Sequence, residues 1–151
     1  MLDPRNPIFQ LCVQGVEAEA ASRVDEARTY FEQAWRASSN HVEACIAAHY
    51  IARHQTDPSQ ALFWNQVALA RADAVADPAK VRSFYASLHL NLGMAHEKIG
   101  QLAIAHHHYS RAALALESIV DSEHRVLVEY GVSRGLKRTQ GNPRELGTAH
   151  S

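Results

Sequence analysis

Apolar and small residues recur along the chain at the spacing that places them on one face of an α-helix. One such face carries Ala27, Phe31 and Ala34, and the same spacing of alanine and aromatic residues returns at 105–112. Short polar segments, such as the one at 38–40, separate these stripes and indicate turns. The pattern therefore predicts an all-α protein built from successive pairs of amphipathic helices.

Two helix starts are marked by an aspartate followed by a proline, at Asp57-Pro58 and at Asp77-Pro78. Aspartate caps the free amide groups at the start of a helix, and proline is tolerated in the first helical turn. From Pro78 an apolar stripe continues to Ile99, which predicts one long helix over this span.

A last helix is expected after Leu116, capped by Asp121 and ending near Lys137. It has few apolar residues, and Gly131 and Gly135 lower its intrinsic helix propensity. A polar helix of this kind suits the end of a helical protein, where one face meets water.

The segment before this helix has the most regular pattern in the chain. It reads His89-x-x-Leu92-Gly93-x-x-His96, then Ile99-Gly100, and then Ala105-x-x-x-Tyr109-x-x-Ala112. This pattern resembles the tetratricopeptide repeat (TPR), a helix-turn-helix unit with small residues where its two helices approach most closely. The step from Ala27 to Ala61 is 34 residues, which is the period of that repeat.

The resemblance implies a single domain over residues 1–137. This domain would be a right-handed α-solenoid of three TPR-like helix-turn-helix units with a C-terminal capping helix. The implied boundaries are about 8–41, 42–85 and 86–119 for the units, 120–137 for the cap and 138–151 for a flexible tail.

The composition limits the classes of partner. The chain has 15 Lys and Arg residues against 16 Asp and Glu residues, which gives a formal net charge of −1. Without an excess of basic residues, we expect neither nucleic acid nor a membrane surface as a partner. No apolar run has the length of a membrane span, and the N-terminus lacks the pattern of a signal peptide. We therefore expect a cytoplasmic protein.

The TPR resemblance also implies a function. The first helix of each unit would line a concave groove that holds a peptide or an extended segment of a partner protein. The chain would be an adaptor, with no enzyme activity and no cofactor. The implied groove residues are Phe9, Cys12, Val16, Glu19, Glu43, Ile46, Tyr50, Arg53, His54, Ser87, Leu90, Asn91, Met94, Glu97 and Lys98. Formation of a homodimer, through exposed groove residues or through the predicted long helix, is a further expectation.

A polar pocket is a second interpretation. His49, Asn65 and His96 replace small or apolar residues at packing positions of the repeat. Buried polar groups need hydrogen-bond partners, so we expect Asn65 to pair with one of these histidines. Such a pocket would fix the register of the repeats, or it would bind a peptide or a small molecule in a sensor protein.

A Cys/His metal site is the third interpretation, because Cys45 and His49 share one helical face and His89 and His96 share another. No C-x2-C or H-E-x-x-H spacing accompanies these residues. Burial of a cysteine among apolar residues also raises its pKa, which would leave a Cys45–His49 pair inert as a nucleophile. We therefore predict neither a bound metal nor catalysis.

Overall fold

The computed structural model describes residues 3–141. Seven α-helices and no β-strand occur in this part of the chain, which confirms the all-α prediction. The helices are Pro7–Ala20 (α1), Val24–Ala37 (α2), His41–Arg53 (α3), Pro58–Asp73 (α4), Tyr85–Lys98 (α5), Leu102–Ala115 (α6) and Ser122–Thr139 (α7). α7 runs two residues into the predicted tail, and residues 142–151 of that tail lie outside the described residues.

Asparagine and aspartate side chains begin four of these helices. Asp57 and Asp121 each accept a hydrogen bond from the backbone amide two residues later, as their positions in the sequence predict. Asn6 caps α1 by accepting from the amide two residues later, and Asn40 caps α3 by accepting from the amide three residues later. These side chains satisfy amide groups that the helix itself leaves without an acceptor.

No helix within residues 3–141 is long and apolar enough to cross a membrane.

The segment before α5 shows that the predicted long helix from Pro78 to Ile99 is wrong. Two short 3-10 helices, Pro78–Lys80 and Arg82–Phe84, occupy the first part of this span. Between them the backbone leaves helical geometry at Val81 (φ −122°), whose side chain is almost fully buried. Burial of this β-branched side chain between two turns takes precedence over continuing the helix.

The chain forms two compact units that divide after Val81. In the first unit, α1 pairs with α2, α3 pairs with α4, and α3 also packs on α2 and α1. In the second unit, α5 pairs with α6, and α7 packs on both of them. Within its own unit, α7 therefore contacts α5 and α6 as α3 contacts α1 and α2.

The helix pairs α1–α2 and α5–α6 are built around the same kind of contact. A Cβ atom at Gly15 would lie 2.3 Å from the Phe31 ring, and one at Gly93 would lie 2.7 Å from the Tyr109 ring. The second glycine–aromatic pair follows the first by 78 residues. The turns after α1 and α5 each contain one residue of positive φ, Ser22 (62°) and Gly100 (83°), and these two residues have the same spacing as the glycine–aromatic pairs. The two pairs are thus equivalent in structure as well as in sequence.

The pair α3–α4 lacks this contact. His49 and Asn65 stand 34 residues after Gly15 and Phe31, where the repeat would place a glycine and an aromatic residue. Asn65 is buried, and its side-chain amide donates to the carbonyl of Ala61 on its own helix. Its Oδ1 atom has no hydrogen-bond partner among the described residues, so the expected pairing with a histidine does not satisfy this oxygen.

Candidate partner-binding surface

In the first unit, α1 packs on α3. Helical spacing places a set of incompletely buried side chains of these two helices along that contact, and we call this set the α1–α3 face. Its members are Phe9, Val13, Val16 and Glu19 from α1 and Ile46, Tyr50 and Arg53 from α3. Tyr50 connects the two helices with the core. Its ring stacks on Phe31, with 4.8 Å between centroids and 7° between planes, and packs against the core cluster that contains Cys12. Tyr50 therefore links the α1–α3 face to the aromatic core of this unit.

The apolar part of this face is incompletely covered. Val13 and Val16 are each 38% exposed, and Phe9 and Ile46 are only partly buried. Val16 shares a helical stripe with Cys12 and Glu19, at spacings of four and three residues. Phe9, Val13 and Val16 follow each other at spacings of four and three residues. Exposed apolar side chains on one such stripe form the kind of surface that an apolar side chain of a partner could cover.

A charged cluster ends the face. The Glu19 carboxylate accepts hydrogen bonds from the Arg53 guanidinium and, at 2.9 Å, from His54 Nε2. Arg53 also lies over the Tyr50 ring, 5.2 Å from its centroid. Burial, followed by the nearby Cys12, raises the pKa of the Tyr50 hydroxyl, while Arg53 acts in the opposite direction.

Four of the predicted groove residues, Glu19, Tyr50, Arg53 and His54, are thus brought together in the first unit. The 44% exposure of the Arg53 side chain leaves part of its guanidinium accessible to a partner. An arginine held against an aromatic ring and a carboxylate has lost much of its freedom before binding.

Two other predicted groove residues in this unit do not face solvent. Cys12 is 3% exposed and belongs to the core cluster, and burial raises the pKa of its thiol to about 12. Glu43 is 6% exposed and accepts hydrogen bonds from Asn6 Nδ2 (3.0 Å) and the Ser39 amide (2.9 Å). These hydrogen bonds outweigh the effect of burial and lower the pKa of the Glu43 carboxyl. Both side chains are therefore buried among residues of the first unit.

The second unit has an equivalent charged group. Glu97, in the same register as Glu19, accepts hydrogen bonds from the Tyr109 hydroxyl (2.7 Å) and from Arg138 Nε (2.8 Å). The hydrogen bond from Arg138 lowers the pKa of the Glu97 carboxyl, and burial followed by Glu97 raises the pKa of Tyr109. In both units a glutamate near the end of the first helix therefore binds an arginine of a later helix.

α7 covers several of the groove positions predicted on α5. Ser87 Oγ lies 3.1 Å from His124 Nε2 of α7. Leu90 packs on the core cluster of this unit, with its methyl groups against Gly131. Together with the ion pair between Glu97 and Arg138, these contacts place Ser87, Leu90 and Glu97 against α7. The sequence hides this packing, because glycines allow α7 to approach closely without a strong apolar stripe.

Two of the groove residues predicted on α5, Met94 and Lys98, are more accessible than the others. Met94 is 41% exposed and stands in the same register as Val16. Lys98 is exposed, and Asn91 is partly exposed. The accessible residues of α5 therefore form a smaller surface than the sequence predicts.

The histidines of the second unit form a cluster between α5 and α6. His89 Nδ1 lies 3.0 Å from His108 Nδ1, and the two ring centroids are 5.3 Å apart. These two distances place both Nδ1 atoms between the rings, so the N–H of one ring donates a hydrogen bond to the Nδ1 atom of the other. The His96 ring stacks on His108 at 5.2 Å and 10°, and its Nδ1 bonds to Gln101 Oε1 at 2.7 Å.

This cluster does not have the geometry of a metal site. The Nδ1 atoms of His89 and His108 point at each other and do not converge on a third point where a metal ion could lie. Within residues 3–141, no group of three or more His, Cys, Asp or Glu residues is arranged to hold a metal ion. Burial, followed by the effect of Asp73, raises the pKa of the Cys45 thiol to about 12, which opposes thiolate chemistry.

The same cluster makes stability depend on pH. Burial and then the neighbouring His89, His96, His107 and Arg111 lower the pKa of His108 from its ordinary 6.5 to about 4. Between these pH values the unfolded chain binds a proton that the folded protein does not. The free energy of unfolding should therefore be highest above pH 6.5 and should decrease as the pH falls towards 4. Because His108 is only partly buried, we expect the free energy of unfolding to decrease by about 1–2 kcal/mol over this interval.

Urea denaturation at pH 7 and pH 4.5 would measure this loss. His108→Gln should show a smaller decline over the same interval, because glutamine does not titrate. An equal decline in both proteins would assign the pH dependence to other groups.

A comparison of the sequence with models of known protein families finds no match. A comparison with curated proteins also finds no match. The resemblance to the TPR therefore rests on the residues and helix contacts of this chain alone.

Proposed function

We propose that the chain is a cytoplasmic TPR-like adaptor whose α1–α3 face binds an extended segment of another protein. The observation that carries this proposal is the pairing of half-exposed valines with an ordered charged cluster on one face of the first unit. The equivalence of the Gly15–Phe31 and Gly93–Tyr109 contacts supports a repeat architecture, and with it a solenoid of TPR-like units capped by α7.

The face suits a segment with both an apolar and an acidic residue. An apolar side chain of the partner would cover Val13 and Val16, and its burial would contribute about 1–2 kcal/mol. The accessible donors of Arg53 would bind a carboxylate of the same segment. Phe31, Tyr50 and Arg53 are held in place before binding, which lowers the entropic cost of association.

The test uses peptides selected from a random library on the full chain, each labelled for fluorescence anisotropy. Val16→Glu should weaken binding of such peptides about tenfold, because it places a carboxylate at the centre of the apolar surface. Val24→Glu is the matched control, since Val24 is 45% exposed but lies on α2, outside the α1–α3 face. Equal affinities of the two variants would reject this face as the binding site.

A further inference from the structure

The outer surface of α7 carries large apolar residues that the second unit does not cover. Leu127 is 70% exposed and Tyr130 is 63% exposed. The opposite side of the helix packs into the core through Val128 and Val132. Large apolar residues that remain exposed on a helix whose other side packs into the core indicate a surface for contact with another molecule.

Opposite charges stand at the two ends of this stripe. Glu123, Leu127, Tyr130 and Arg134 follow each other at spacings of four, three and four residues, which places them on one line along the helix. The Arg134 guanidinium lies over the Tyr130 ring, 5.3 Å from its centroid, and so stays on this surface. Within the described residues, neither Glu123 nor Arg134 forms a salt bridge.

We propose that α7 pairs with α7 of a second copy of this chain, in antiparallel orientation. A two-fold axis that passes midway between Val128 and Glu129 brings Leu127 opposite Tyr130 of the second copy. The same axis brings Glu123 opposite Arg134 of the second copy, at both ends of the contact. A parallel pairing would instead place like charges beside each other, so the charge pattern selects the antiparallel dimer.

The dimer should be weak and dependent on concentration. A single pair of helices buries less surface than a typical stable interface. The exposed ion pairs at its ends contribute orientation and modest affinity. This surface shares no residue with the α1–α3 face, so different variants test the dimer and the proposed adaptor function.

Sedimentation equilibrium of the full chain, from about 5 μM to about 500 μM, tests the proposal in a range where weak interfaces dissociate. The wild type should shift from monomer to dimer across this range. Glu123→Arg and Arg134→Glu should each weaken the dimer about tenfold, because each converts two attractive pairs into two repulsive ones. The double variant restores opposite charges at both ends and should return to nearly the wild-type affinity.

Glu129→Arg is the control. The same axis pairs Glu129 with Val128 of the second copy, and because Val128 is buried in its own core, Glu129 has no charged partner across the dimer. It should leave the dimer unchanged. Melting curves followed by circular dichroism separate loss of folding from loss of association. The double variant contains both substitutions, so a return of its dimer cannot be explained by improved folding. A wild type that stays monomeric, a single variant that dimerises normally, or a double variant that stays dissociated would overturn the proposal.

Discussion

Replacing Tyr109 with alanine is expected to lower the free energy of unfolding by about 4 kcal/mol. The Tyr109 side chain is fully buried, and its ring lies against both Gly93 and Gly135. Its hydroxyl donates to Glu97, so the substitution removes a hydrogen bond and leaves a cavity. Chemical denaturation followed by circular dichroism would measure the loss.

Two controls separate the contributions to this effect. Tyr109→Phe keeps the ring and removes only the hydrogen bond to Glu97, so it should cost about 1 kcal/mol. Phe63→Ala removes an aromatic ring that is 51% exposed, and it should cost far less than Tyr109→Ala. A Tyr109→Ala protein no less stable than Phe63→Ala would show that the ring does not hold the second unit together.

The second large effect is expected for Gly135→Ala. In an unconstrained helix this change stabilises by nearly 1 kcal/mol, because alanine has the higher helix propensity. At this position the new Cβ atom would lie 2.4 Å from the Tyr109 ring, which is enclosed and cannot move away. Overpacking should therefore reverse the sign and destabilise the protein by about 2–3 kcal/mol.

Gly131→Ala, on the same helix, is the matched control. Its Cβ atom would lie 3.2 Å from a methyl group of Leu90, the end of a flexible side chain that can shift slightly. Its stability should remain within about 0.5 kcal/mol of the wild type. If denaturation shows the same change for both variants, the close approach of α7 to Tyr109 is refuted.

The sequence predicts the helices well because periodicity and capping are local properties. The stripe of Ala27, Phe31 and Ala34 is fully buried in α2, and Asp121 caps α7. The error at Pro78–Ile99 has a tertiary cause, since an apolar stripe continues through Val81 although the backbone does not remain helical there. Helical spacing records which residues are buried and does not record where a helix is interrupted.

The candidate site is predicted less completely than the helices. The TPR resemblance assigns Glu19, Tyr50 and Arg53 to one groove, and in the structure Arg53 contacts both of the others. The resemblance does not show that Cys12 and Glu43 are buried. Sequence spacing assigns a residue to a helical face, but the packing of neighbouring helices decides how much of that face is buried.

The histidine cluster shows a second limit of the sequence. His89 and His96 are separated by seven residues on one helix, which predicts that they share a face. Their common neighbour His108 lies on α6, and no spacing within one helix relates it to them. Contacts between helices depend on their packing, which local patterns do not specify.

The most direct test of the proposed function is a methyl NMR titration of the full chain with a library-selected peptide. We predict that the methyl signals of Val13, Val16 and Ile46 shift as the peptide is added, while those of Val24 stay in place. Shifts confined to Val24 or to the methyl groups of α7, with Val16 unchanged, would contradict binding at the α1–α3 face.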